Sequence, residues 1–134
     1  MTILIWCLFA ATLLPYLAKA PVAIAMNKLE GYDNNHPRSQ QAKLTGFGAR
    51  ALAAHQNAFE SLIIFVPAVL LAIATNTITD TITDTVTLLA ITHVIARVAY
   101  NVLYLLNIGT MRSIVWAIAT ISSFAIIWQC IPQS

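Results

Sequence analysis

Charge is what this chain lacks most. Only 9% of its 134 residues are Asp, Glu, Lys or Arg, against about 25% in a soluble domain. That deficit is too large for a surface that faces water. With 59% hydrophobic residues and a mean hydropathy of +0.77, the composition predicts one small domain integral to a membrane. The net charge of +2 is too weak to imply a nucleic-acid partner. Cysteine is also scarce. Cys7 and Cys130 sit in apolar runs at opposite ends of the chain and offer neither metal spacing nor a disulfide framework. They read as two free thiols, packed or lipid-facing. His36, His55 and His93 are scattered, with no acidic helper at ligand spacing, so no metal site is expected.

Long apolar runs are what remain. About 20 residues of helix cross the hydrocarbon core, and the pattern predicts four spans, at about 3–25, 51–75, 86–106 and 111–131. Ala18-Lys19-Ala20 resembles a signal-cleavage site, but no positive region precedes the apolar run, so a retained first helix is expected. Pro15, Pro21 and Pro67 are candidate kinks. Asn27 to Gln41 reads as the longest hydrophilic loop, with turn signals at Gly31, Asp33-Asn34-Asn35 and Pro37. Ala42 to Thr75 reads as one long helix whose first turns stand in water. Gly46 and Gly48 are placed to let it pack closely on a neighbour. Asp80 or Asp84 is expected to cap the third span, and Gly109 to stop it. Four helices with short connections predict an all-α, antiparallel four-helix bundle.

Lysine and arginine placement gives an orientation. Lys19, Lys28, Arg38 and Lys43 crowd the first loop, and Arg112 follows the third. The second loop has two aspartates and no base. The positive-inside rule puts the first and third loops in the cytoplasm and both termini outside. Trp6 and Trp128 then mark the outer interface, and Trp116 lies nearer the inner one.

Within these spans, polar residues fall into two stripes. On the second helix Arg50, Asn57 and Glu60 are spaced seven and three apart, close to one face. On the third, His93, Arg97, Tyr100 and Tyr104 follow an i, i+4, i+7, i+11 pattern. A carboxylate at membrane depth costs roughly 2.5–3.5 kcal/mol unless paired or wetted, so Glu60 is expected to meet Arg97. Arg112 opens the fourth helix at the edge of the same groove. One reading is structural glue, with a buried ion pair and interhelical hydrogen bonds. The other is a polar pocket whose cations take an anionic ligand and whose tyrosines take its amides. His55 lies nearly opposite Asn57 and reads as an interhelical or interfacial hydrogen-bonding residue. His93 shares the groove face but lies deeper, where a structural role is expected.

These residues resemble the MAPEG family, the membrane-associated proteins of eicosanoid and glutathione metabolism. The resemblance rests on four spans, a cytoplasmic first loop, R-A-x-x-A-H-Q-N-x-x-E at Arg50 to Glu60, and A-R-x-x-Y-x-x-x-Y at Ala96 to Tyr104. With its D-N-x-x-P-R loop the chain looks most like small bacterial members. The resemblance implies a homotrimer with glutathione sites between adjacent subunits. It implies that Asn57, Glu60, Tyr100 and Tyr104 hold the tripeptide, Glu60 by its amino group, and that Arg112 stabilises the thiolate. Arg50 and Arg97 belong to the same binding set, and Tyr104 stands beside Arg112 in the catalytic pair. Two positions depart from the pattern. Ala53 stands where many members carry a second arginine, a role open to Arg38 or Lys43. Arg112 falls one residue beyond the usual spacing from the second tyrosine.

The expected function is a glutathione-dependent transferase or peroxidase acting on a lipophilic substrate that enters from the bilayer. Glutathione would be its co-substrate, with no metal. The alternative is a non-catalytic member of the fold that binds a lipid or an anionic metabolite. Retention of Asn57, Glu60, both tyrosines and Arg112 favours the first, and Ala53 favours the second. A transporter ranks last, because no inverted halves are visible.

Overall fold

The structure, a computed structural model, describes residues 1–79 and 83–131. Five helices follow in order: α1 (Thr2–Glu30), α2 (Pro37–Gln41), α3 (Gly46–Thr79), α4 (Asp84–Leu105) and α5 (Gly109–Gln129). All but α2 are long and apolar enough to cross a membrane. The four expected spans are therefore present, in an all-helical bundle. α1 lies along α3 and α4 along α5. α3 also packs on α4 and α5, so it touches each of the other long helices. Pro15, Pro21 and Pro67 all sit inside unbroken helices.

The ends of the elements differ from the sequence expectation, each for a local reason. α1 runs on through Asn27 to Glu30, so the first loop is shorter than Asn27 to Gln41. Pro37 opens the short α2 at a first-turn position that has no use for an N–H. The long second helix does not begin at Ala42. The chain breaks at 42–45 and restarts at Gly46, whose φ of +51° favours glycine. Gly48, two residues along, lies where a Cβ would come within 3.1 Å of Ala25 on α1, which is the close approach expected of it.

Thr83 caps α4, accepting from the Val86 N–H at 3.2 Å, and Asp84 sits in the first turn instead. There its charge still complements the positive end of the helix dipole. Asp80 lies outside the described residues. Gly109 is not the stop of α4 but the first residue of α5. The reversal falls at Asn107, with φ +61°. The Ile108 N–H returns to Leu103 O and the Asn107 N–H to Tyr104 O, closing off the last free carbonyls. Asparagine tolerates this left-handed backbone better than most side chains.

Antiparallel connection places the first loop and the α4–α5 turn at one end of the bundle. Near that end Val22, Met26, Leu44 and Ala51 form a small apolar cluster. A larger core fills the opposite end, drawing on Leu4, Cys7, Phe65, Val69, Val86 and Ile126. Both cysteines are free and buried, and both belong to it. Between the two apolar layers lies a band of polar side chains.

Candidate functional site

The band is assembled by facing stripes on α3, α4 and α5. Arg97 is only 2% exposed, and it reaches across to α3. Its Nη2 donates to the Asn57 side-chain Oδ1 at 2.7 Å and to the Asn57 backbone carbonyl at 2.9 Å. Asn57 in turn donates through Nδ2 to Glu60 Oε2 at 2.7 Å. This corrects the expected ion pair. Among the described residues no Glu60–Arg97 salt bridge forms, and the Asn57 amide stands between the two charges. An amide both donates and accepts, so it can join a carboxylate and a guanidinium that do not touch. Glu60 meanwhile stays exposed, which spares its carboxylate full burial.

From Arg97 the stripe runs toward the α4–α5 turn. The Arg97 guanidinium lies 4.3 Å from the Tyr100 ring centre. Tyr100 meets Tyr104 edge to face at 5.5 Å. Arg112 closes the row, 4.1 Å from the Tyr104 ring centre. Cations held over ring faces in this way are attracted by the ring quadrupole. Asn57, Glu60, Arg97, Tyr100, Tyr104 and Arg112 are thus brought together as one wall. The turn at Asn107 lies between Tyr104 and Arg112, and Arg112 stacks on Tyr104 across it.

Two expected residues stand apart from the wall. Arg50 lies two turns before Asn57, and its Nε is buried without a partner. Arg38 is exposed on α2, and no hydrogen bond joins it to the wall among the described residues.

Other polar residues have structural partners. His55 Nδ1 lies 2.8 Å from the Pro15 carbonyl, so it ties α3 to α1 as an interhelical hydrogen-bonding residue. His93 is 2% exposed. Its ring stacks on Phe65 at 3.8 Å with a 4° interplanar angle, and its Nδ1 meets Ala119 O and Ser123 Oγ on α5. A cavity of about 230 Å³ continues the wall inward, lined by Asn57, Ser61, His93, Arg97, Trp116 and Ser123 among others.

Sequence reasoning missed Gln40. Its Nε2 donates to Gly31 O at 2.6 Å and Met26 O at 3.3 Å, and its Oε1 accepts from the Asp33 N–H at 3.0 Å. One buried amide therefore folds the first loop onto the end of α1. Its only signal in the sequence is a glutamine just after Pro37-Arg38-Ser39. Asp33 caps the same loop, accepting from the N–H groups of Asn35 and His36 at 2.9 Å each. Those bonds, the His36 one foremost, hold the Asp33 carboxyl below its usual range.

The MAPEG family profile matches residues 3–132, nearly the whole chain. The chain belongs to the MAPEG family. With four apolar helices of spanning length, it is an integral, multi-pass membrane protein of this eicosanoid and glutathione metabolism family. No curated protein and no solved structure matches it.

Proposed function

We propose that this MAPEG protein is a glutathione-dependent transferase or peroxidase whose second substrate is lipophilic. The observation that carries the reading is the continuous row from Glu60 through Asn57, Arg97, Tyr100 and Tyr104 to Arg112. A zwitterionic tripeptide needs a carboxylate for its ammonium group, cations for its carboxylates and donors for its amides. The row supplies Glu60, Arg97 and the two tyrosine hydroxyls. Arg50, with its buried and unpartnered Nε, is a further cation for a carboxylate. Arg112 supplies positive charge at the far end of the row, where the thiol would lie. A nearby cation lowers a thiol pKa from about 8.5 and provides thiolate at neutral pH. Tyr104 acts beside it, since its ring holds the guanidinium in place. Arg38 stands outside the row and is a candidate only for an outer contact from the loop.

The assembly is a homotrimer in this reading, with the row facing a neighbouring subunit. Native mass spectrometry in mild detergent should show three chains, and a stable monomer would contradict it. The first loop and the α4–α5 turn face the cytoplasm, and both termini lie outside. A cysteine placed by Asn34→Cys should be labelled only from the cytoplasmic side.

Equilibrium dialysis of the purified protein against radiolabelled glutathione tests the binding site. Saturable binding is expected, weakened at least tenfold by Glu60→Gln. Absence of binding would give the lead to the second reading, a non-catalytic member that takes a lipid or anionic metabolite. Ala53, in place of a second arginine, is the residue that favours that reading.

A further inference from the structure

Two cavities along α1 share no lining residue with the row from Glu60 to Arg112. One, of about 220 Å³, is bounded by α1, α3 and α4, and Asn101 is its single polar lining residue. The other, of about 250 Å³, lies where α1 ends and α3 begins, and adds Lys28 and Thr45 to an apolar lining. On α1 the two linings are continuous. Leu14, Leu17 and Pro21 belong to the first, and Ile24 and Lys28 to the second, spaced three, four, three and four apart. That spacing is one face of a helix. Leu17 is 60% exposed and Ile24 56%, so the chain itself leaves this face open. From Leu14, mid-helix, to Lys28, in the last turn, the stripe rises about 21 Å. Half of a bilayer with its headgroups is about 20–22 Å. The stripe therefore runs the depth of one leaflet, apolar at the midplane end and cationic at the headgroup end. Lys28 complements the α1 dipole, yet among the described residues it has no ion-pair partner. No acidic side chain lines either cavity. Glu30 and Asp33 line a separate one, with Lys43.

We propose that this stripe binds one phospholipid whose headgroup carries a net negative charge. An acyl chain lies in the first cavity, against Leu14 and Leu17 of α1 and Val98 and Val102 of α4. Phosphate oxygens accept from the Lys28 ammonium and the Thr45 hydroxyl in the second. The Lys28 stem covers apolar surface while its charged end reaches the head. A choline or ethanolamine head fits less well. It brings an ammonium group beside Lys28, with no carboxylate in the lining to meet it. A free phosphate would leave the apolar cavity empty. The inference needs only the membrane spans and is independent of the glutathione reading.

The chain has three tryptophans, Trp6, Trp116 and Trp128. With each changed to Phe and Leu17→Trp added, a single tryptophan reports on the stripe. This protein is reconstituted in phosphatidylcholine vesicles, into which brominated-chain phosphatidylglycerol or brominated-chain phosphatidylcholine is mixed. Phosphatidylglycerol should quench more strongly at equal mole fraction. Its relative affinity should be about fivefold higher, the worth of one lysine beside an anionic surface. Lys28→Gln should remove that preference, and Lys28→Arg should keep it. A tryptophan introduced instead by Ile121→Trp, at a position 67% exposed on α5, should show none. On the unmodified chain, native mass spectrometry from nanodiscs of the two lipids in equal parts should retain phosphatidylglycerol, and Lys28→Gln should lose the preference. That measurement decides if the tryptophan variants fail to fold. Equal quenching by the two lipids, a preference that survives Lys28→Gln, or one equally strong with Ile121→Trp would overturn the assignment. Quenching by neither lipid would mean that a second copy of the chain covers the stripe, and would overturn it too.

Discussion

The apolar layer around Phe65 and the polar band beside it share α3, α4 and α5, with α1 added in the apolar layer, yet they obey opposite rules. In the apolar layer Leu4, Phe65, Ala68, Val69, Ala72, Val86, Ala90 and Ile126 are all fully buried, and even the thiol of Cys130 is bonded to the Ile126 carbonyl. In the band, by contrast, are His93 Nε2 and Arg97 Nε, two of the four buried side-chain atoms left without partners among the described residues; a third, Asn101 Oδ1, belongs to a residue that lines an apolar groove with Leu14 and Pro21 of α1. The fourth, Arg50 Nε, is on the Asn57 stripe of α3. A segment selected for cohesion alone would not retain such atoms at about 1–3 kcal/mol each. The apolar layer holds the helices, and the band is the part of the molecule on which the proposed function rests.

The largest effect should come from breaking the apolar layer. Phe65→Ala removes a fully buried ring that also stacks on His93. In water such truncation costs about 3–5 kcal/mol. Lipid replaces part of the lost apolar environment for the unfolded helices, so the lower end is expected, read by unfolding in mixed micelles. A loss below about 1 kcal/mol would mean that the layer does not hold the bundle.

The amide bridge is a sharper test of the band. Arg97→Gln and Asn57→Ala should each cost roughly 1.5–3 kcal/mol, the range for hydrogen bonds to a charged group. Their double-mutant cycle should show strong coupling, and the Glu60–Arg97 cycle should show less. The reverse order would restore the direct ion pair and remove Asn57 from its bridging place.

The smallest effect lies outside the membrane. Asp33 has its folded pKa depressed by the Asn35 and His36 N–H groups. Its contribution to loop order is therefore present above the unfolded carboxylate pKa and lost as pH falls through the lower, folded one. Amide exchange at Asn35 and His36 should accelerate below about pH 4, with the spans unaffected. An Asp33→Asn loop that keeps the same acid dependence would exclude Asp33 as its origin.

Much of this molecule was legible as sequence because lipid demands long apolar helices, and the four runs leave little ambiguity. The two polar stripes were legible too, since helical spacing alone puts Arg97, Tyr100 and Tyr104 on one face. What sequence could not give was reach. Whether Glu60 touches Arg97 depends on the relative height of α3 and α4, and the structure inserts Asn57 between them. Element ends were misjudged where two residues could serve equally. Thr83 competes with Asp84 for the cap, and Asn107 with Gly109 for the left-handed turn. Gln40 was missed because its partners, Met26 and Gly31, are distant in sequence and are backbone atoms. The unmet atom of His93 was invisible for a similar reason. Only packing brings its Nδ1 to the Ala119 carbonyl and leaves Nε2 buried without a partner.

The central claim, that the row ending at Arg112 is a thiol-activating glutathione site, is tested most directly by thiolate ultraviolet absorbance at pH 7 with glutathione bound. Free thiol near pKa 8.5 is only a few per cent ionised there, and a downward shift of about two units, roughly 2.7 kcal/mol, makes thiolate the majority. The wild type should show thiolate at close to one equivalent per site. Arg112→Ala should lose it while weakening glutathione binding only modestly, because Asn57, Glu60 and Tyr100 remain. Tyr104→Phe should have the smaller effect on ionisation. Glutathione bound to the wild type without thiolate absorbance, or full absorbance surviving in Arg112→Ala, would contradict the assignment.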